Sequence, residues 1–275
     1  MKYLSKVSFT IIATLVLLSS CQTPAHNNNP LTMGKLYGFE KVLVKGGDFW
    51  ITTYQKIDNR SQPFVFYIES DGVTYGVNGD KPSLNPTPIR QTFLELAAMD
   101  KRPNVVYVAR PCQYTPMELN PKCDSSYWTN KRLSDDSVDA INDVINKVNS
   151  NHHKFSLIGY SGGGGIAVLV AARNNMVKDI ITIAGNLDHR AFTEHHKVSP
   201  MTGSLNPIDY AKSINNIPQW HISGGNDKVI PPFIAERYVE KSNSVCVKQK
   251  IFPDIDHKSG WTKVWQSIYT TPVKC

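Results

Sequence analysis

The sequence predicts an α/β fold: a mostly parallel central sheet with helices on both faces and an antiparallel hairpin at its start. Three observations carry this. From residue 64 onward, short apolar runs of strand length alternate with helical patterns, and such alternation implies parallel strands joined by crossovers. Before them, Lys35–Val44 and Phe49–Ile57 flank Lys45-Gly46-Gly47-Asp48, which reads as a hairpin. In the middle, Phe155-Ser156-Leu157-Ile158 runs through Gly159-Tyr160-Ser161-Gly162-Gly163 into the apolar stretch Gly164–Arg173. That is a buried strand, a sharp turn with a serine at its tip, and a buried helix.

Taken in order, Phe64–Ile68 is a buried strand that ends in Glu69-Ser70-Asp71-Gly72, and Thr92–Met99 is a helix with Phe93, Leu94, Leu96 and Ala97 inward. Val105–Val108 is the next strand. Residues 110–132 form a long irregular loop carrying Cys112, Cys123, Tyr114, Tyr127 and Trp128. Loops of this length are functional or disordered, and a disulfide argues against disorder. Its aromatic residues could line an acyl pocket or pack under the loop. Ser134 caps a helix with Asp135 and Asp136 in its first turn, where a carboxylate suits the helix dipole. Its core face is Val138, Ile141, Val144, Ile145 and Val148. After the serine turn, Ile180–Gly185 is a strand and His189–Pro207 an irregular polar segment. Ile217–Ser223 is a strand leading to Gly224-Gly225-Asn226-Asp227, and Pro231-Pro232 opens a helix over 233–239. Val245–Phe252 is the last strand, followed by Asp254-Ile255-Asp256-His257 and a helix over Trp261–Ile268.

With 275 residues, the chain can hold a large α/β core. Residues 1–20 read as an export signal, with Lys2 and Lys6 before an apolar run, Ile11–Leu18, too short to span a bilayer. The run ends Leu18-Ser19-Ser20-Cys21, which resembles the bacterial lipobox. That resemblance implies cleavage before Cys21 and its acylation, hence a membrane anchor. Residues 21–34 are then a polar tether, and the α/β domain spans 35–275. Gln22, where an aspartate would signal retention, favours the outer over the inner membrane of the cell envelope. The net charge of +7 falls to +5 once Lys2 and Lys6 are removed, and no basic run points to nucleic acid. Four further cysteines in an exported chain suggest two disulfides; short spacing favours Cys112–Cys123 and leaves Cys246–Cys275. The pattern does not fix oligomeric state.

The strand order and the residues at the strand ends together resemble the α/β-hydrolase superfamily over about residues 35–270. In that fold the catalytic residues follow the order Ser, acid, His. Here the matching residues are Ser161, Asp227 and His257, each just past a predicted strand at one sheet edge. The chemistry fits the residue types. A serine hydroxyl needs a base to become a nucleophile, an imidazole supplies it, and a carboxylate holds the imidazole tautomer. The resemblance also implies an oxyanion hole from the Gly162 N–H and one N–H after the strand ending at Ile68. Tyr67-Ile68-Glu69-Ser70-Asp71-Gly72 is similar to a Y-I-E-G-D-G run in some bacterial hydrolases, with Ser70 in place of glycine, so Asp71 and Gly72 are both candidates. Asp188 is an alternative acid. His152-His153 and His195-His196 read as solvated pairs rather than metal ligands, and His221 as a core residue.

The expected activity is cleavage of a carboxylic ester of a small acyl substrate, or of an amide or thioester, through an acyl-enzyme, with no cofactor and no metal. The alternative is an inactive hydrolase scaffold serving as an envelope binding module. Residues 188–215 are too polar for the apolar lid of a lipase.

Overall fold

The computed structural model describes residue 35 and residues 37–76 and 78–275. The signal segment, Cys21 and the tether over 22–34 lie outside the described residues. Eight strands form one sheet in the order β1-β2-β4-β3-β5-β6-β7-β8. They are β1 (Glu40–Gly46), β2 (Phe49–Ile57), β3 (Val65–Ile68), β4 (Asn104–Val108), β5 (Phe155–Tyr160), β6 (Val177–Ile183), β7 (Gln219–Gly224) and β8 (Val247–Phe252). The hairpin β1–β2 is antiparallel, turns over Gly47-Asp48, and joins β4 antiparallel; every pairing from β4 through β8 is parallel. The expected mixed sheet is therefore present, with its antiparallel part at one edge.

Among the described residues, the helices around the sheet are α1 (Thr92–Met99), α2 (Asp135–Val148), α3 (Gly162–Ala171), α4 (His189–His196), α5 (Phe233–Ser242) and α6 (Trp261–Tyr269). Alternate residues of each central strand serve opposite faces, as the pleat requires. Phe66, Ile68, Val106 and Val108 join a core with α2, α3 and α5. Val65, Tyr67, Val105 and Tyr107 join a second core with α1 and α6. Burial on both faces explains why these strands are continuous apolar runs. On the second face the Trp265 indole donates to the Leu96 carbonyl at 2.8 Å, tying α6 to α1.

Local signals act as their chemistry suggests. The Ser134 hydroxyl accepts from the Ser137 N–H and caps α2. Both disulfides form as paired by spacing, Cys112–Cys123 and Cys246–Cys275. The first closes the loop between β4 and α2, which contains short 3₁₀ turns at Met117–Leu119 and Ser125–Trp128. One expectation is corrected: residues 189–196 are the helix α4, not irregular chain. Asp188 accepts from the Ala191 N–H to start it, and Lys197 ends it with φ 53°. The signal was weak because α4 spans only two turns and buries only His189 and Thr193. Pro207–Tyr210 adds a 3₁₀ turn.

Candidate active site

Ser161 stands between β5 and α3 with φ 54° and ψ −120°, a left-handed backbone that costs a non-glycine residue energy. Its surroundings hold it there. Its N–H donates to the Ile183 carbonyl at 3.0 Å, and its carbonyl accepts from Asn186 at 2.9 Å. The glycines around it permit close approach. A Cβ on Gly163 would lie 2.2 Å from the Ile68 carbonyl oxygen, so the first turn of α3 presses directly on the end of β3. A Cβ on Gly162 would lie 2.0 Å from a carboxylate oxygen of Asp71. The run of glycines is therefore a packing requirement, which offsets its poor helix propensity. Gly162 is the first residue of α3, so its N–H has no partner within the helix and sits at the positive end of the dipole.

The acid and the histidine follow β7 and β8. The Asp227 carboxylate accepts from the N–H groups of Val229 and Ile230, both at 2.8 Å, through one oxygen. Its other oxygen is 2.8 Å from His257 Nδ1. Both residues are buried, at 3% and 8% exposure. The two loops are also zipped together by the backbone, Gly225 N–H to the Phe252 carbonyl at 2.8 Å and Asn226 N–H to the Ile255 carbonyl at 3.0 Å. Ser161 and His257 line the same cleft, of about 300 Å³, with Arg132, Phe192 and Lys258 among its other walls. The structure thus gathers Ser161, Asp227 and His257 at one edge of the sheet.

Asp188, the alternative acid, is committed elsewhere. It caps α4, accepts from Asn206 at 2.9 Å and pairs with Arg237 at 3.0 Å. Burial pushes its carboxyl up, but the bonds from Asn206, Ala191 and Arg237 outweigh that and hold it below the usual range.

The two candidates for the second oxyanion donor separate. The Gly72 N–H donates to the Ser70 hydroxyl at 3.3 Å, and the Ser70 N–H to Glu69 at 2.6 Å. That leaves the Asp71 N–H as the stronger candidate. The Asp71 side chain is fixed by Arg110 at 3.2 Å and Arg132 at 3.1 Å, so the loop is anchored beside Gly162. Glu69 is buried beneath it, bonded to the Tyr107 hydroxyl, and burial raises its carboxyl above the ordinary range.

Two residues that sequence reasoning did not single out position the histidine. Tyr160 donates its hydroxyl to the His257 carbonyl at 2.6 Å and stacks on the imidazole with ring centroids 5.4 Å apart. The Trp261 indole donates to the same carbonyl at 3.0 Å. Tyr160 fills a position of the serine turn that the motif leaves open, and Trp261 belongs to no motif. Their role depends on tertiary contact across 97 residues for Tyr160, and the one available hint is that Tyr160 adjoins the serine.

The remaining candidates lie elsewhere. Tyr127 packs edge-on against Phe49 and bonds to Asp136, and Trp128 donates to the Ser83 carbonyl, so both pack under the loop. Tyr114 packs edge-on against Tyr54 and Tyr107. His195 contacts Phe233, and His196 Nε2 lies 2.8 Å from the Val229 carbonyl. His221 is fully buried with Nδ1 2.9 Å from the Thr182 hydroxyl, and burial lowers its pKa to about 3. Among the described residues, no group of three or more His, Cys, Asp or Glu side chains is placed to hold a metal.

A sequence model of the dienelactone hydrolase family matches residues 117–259, more than half of the chain and a span that contains Ser161, Asp227 and His257. No curated protein matches it by sequence. The fold is similar to an acylaminoacyl peptidase of Pyrococcus horikoshii, with TM-score 0.58, 14% identity, and coverage of 86% of this chain and 42% of that one. It is also similar to an esterase of Pyrococcus furiosus, with TM-score 0.58, 12% identity, and coverage of 87% and 91%. A puromycin-hydrolyzing peptidase of Mycobacterium tuberculosis is similar too, with TM-score 0.58, 14% identity, and coverage of 84% and 38%. The chain spans less than half the length of either peptidase. At these identities the likeness concerns the fold.

Proposed function

The chain belongs to the dienelactone hydrolase family, and from that premise we propose that it is a serine hydrolase that cleaves a carboxylic ester of a small molecule through an acyl-enzyme. The observation that carries the reading is the serine on a strained turn at the start of α3, sharing a cleft with a histidine whose Nδ1 is held by a buried aspartate. In this reading Ser161 Oγ attacks the ester carbonyl carbon while His257 Nε2 takes its proton. Asp227 keeps the Nδ1–H tautomer and stabilises the imidazolium. The oxyanion is met by the N–H groups of Gly162 and Asp71, each such donor being worth about 3–4 kcal/mol of transition-state stabilisation. His257 then returns the proton to the leaving alcohol, and a water molecule repeats the sequence to release the acid.

Turnover of p-nitrophenyl acetate tests the reading. Ser161→Ala should lower kcat by at least ~10⁴-fold with an unchanged circular dichroism spectrum. A folded variant that keeps its activity would remove Ser161 from the role.

The cellular setting belongs to the same proposal. Lys2, Lys6, the apolar run over 11–18 and Cys21 support a lipid-anchored protein of the bacterial envelope, with the outer membrane favoured by Gln22. Mass spectrometry of the mature N-terminus checks this: a diacylated or triacylated Cys21 is expected, and an unmodified one would contradict it.

A further inference from the structure

A second cavity, of about 350 Å³, adjoins the cleft that holds Ser161 and His257, and Ser70, Gly72, Tyr160 and Lys258 line both. Its own walls include the apolar side chains of Val73, Pro88, Ile89 and Phe93, together with Arg90. Three rings run from one cavity into the other. Phe93 stacks on Tyr160 with centroids 5.6 Å apart and planes at 27°, and Tyr160 stacks on His257 at 5.4 Å and 27°.

The shared walls say which part of a substrate this second cavity serves. They come from the loop after β3 and from the residues flanking the serine and the histidine. Asn186, Phe192, Val229 and Ile230 line the serine cleft and not the second cavity. In acyl transfer by a serine, the histidine delivers its proton to the leaving oxygen, so the leaving group lies on the histidine's side. Tyr160, on which His257 stacks, and Lys258, which follows it in the chain, are both walls of the second cavity, so the cavity adjoins the histidine.

We propose that this cavity is the leaving-group subsite and that it selects esters of aromatic alcohols, of about the size of a benzyl group. The inference rests on the hydrolase reading above. Apolar walls with a few polar groups are what bind an uncharged arm. Phe93 and Tyr160 stack on each other, so what they turn toward the cavity is ring edge, which suits the face of an arene; Arg90 and Lys258 line the cavity together with the Glu69 carboxylate, and their cations favour that face over a saturated ring. The step balances without a co-reactant. The Ser161 Oγ–carbonyl carbon bond forms, the carbonyl carbon–alkoxy oxygen bond breaks, and the proton taken from Ser161 leaves on the aromatic alcohol through His257.

Three acetates test this on the full-length protein: ethyl, cyclohexylmethyl and benzyl. They share an acyl group and differ in the arm. Benzyl acetate should exceed ethyl acetate in kcat/KM by ~10-fold or more, the scale on which an apolar pocket discriminates. It should exceed cyclohexylmethyl acetate by ~3-fold or more, the scale of an aromatic pair. Ile89 is 71% exposed, so Ile89→Trp can narrow the cavity with little risk to folding, and it should lower the benzyl-to-ethyl ratio by ~5-fold or more. Equal rates on benzyl and ethyl acetate, or an unchanged ratio in Ile89→Trp, would overturn the subsite. Equal rates on benzyl and cyclohexylmethyl acetate would overturn its aromatic preference. Loss of the underlying reading has a different signature: no turnover of p-nitrophenyl acetate by the folded protein, which would overturn both.

Discussion

The serine and the histidine are held at the same sheet edge by opposite means. Ser161 is fixed by backbone: a strained turn, three main-chain hydrogen bonds and glycines packed so closely that no Cβ fits. His257 is fixed by side chains: a carboxylate on its ring, a tyrosine and a tryptophan on its carbonyl, and an aromatic face against its imidazole. Steric fixation tolerates almost no added volume. Fixation by hydrogen bonds can be removed one bond at a time, so its contributions can be measured separately.

Four substitutions and one control sharpen that contrast. The largest effect is expected at the acid. Asp227→Asn keeps the shape but reverses the hydrogen-bonding role toward His257 Nδ1, and kcat should fall by ~10³–10⁴-fold with little change in stability. Steady-state kinetics beside a urea melt would check both halves. Next is the backbone-held side. Gly163→Ala places a methyl where the Ile68 carbonyl oxygen stands 2.2 Å away, and should lower unfolding free energy by about 3 kcal/mol. Gly76→Ala, whose methyl would first meet an atom at 3.7 Å, is the control and should stay within about 0.5 kcal/mol.

The third prediction concerns pH. His221 lies on β7, the strand that leads to Asp227, and its folded pKa is about 3 because of burial. The unfolded chain binds that proton near pH 6.5, so stability is complete above this value and is lost as pH falls toward 3. Between pH 7 and pH 5 this one group should remove about 2 kcal/mol. His221→Leu should flatten the dependence by that amount in melts at the two pH values, and an unchanged slope would contradict the assignment. The smallest effect belongs to one of two redundant donors. Tyr160→Phe removes the hydroxyl from the His257 carbonyl while keeping the ring. It should cost about 1 kcal/mol in kcat with KM little changed, since Trp261 still holds the carbonyl. An equal rise in KM would point to a substrate contact instead.

The same contrast explains what was legible in the sequence. Backbone-held features leave residue-type signatures. Gly159, Gly162 and Gly163 announce the close turn, the apolar runs at 64–68, 105–108 and 155–158 announce strands buried on both faces, and Ser134 announces the start of α2. Side-chain-held features do not. Nothing local tells that the Tyr160 hydroxyl meets a carbonyl 97 residues away, or that Asp227 rather than Asp188 reaches His257. Both aspartates follow a parallel strand; the choice is made by Arg237 and Asn206, which engage Asp188. Helix α4 was hidden for a related reason, because its stability comes from the Asp188 cap and from packing rather than from an apolar stripe. The choice between Asp71 and Gly72 is likewise illegible in the sequence, because it turns on the Ser70 hydroxyl engaging the Gly72 N–H and on Glu69 engaging the Ser70 N–H.

Activation of Ser161 as a nucleophile can be read by labelling with a fluorophosphonate followed by peptide mass spectrometry. Adduct is expected on the peptide carrying Ser161, absent in a folded Ser161→Ala variant and strongly slowed in Asp227→Asn. A folded wild-type protein that takes no label, or a Ser161→Ala variant that still takes it, would contradict that activation.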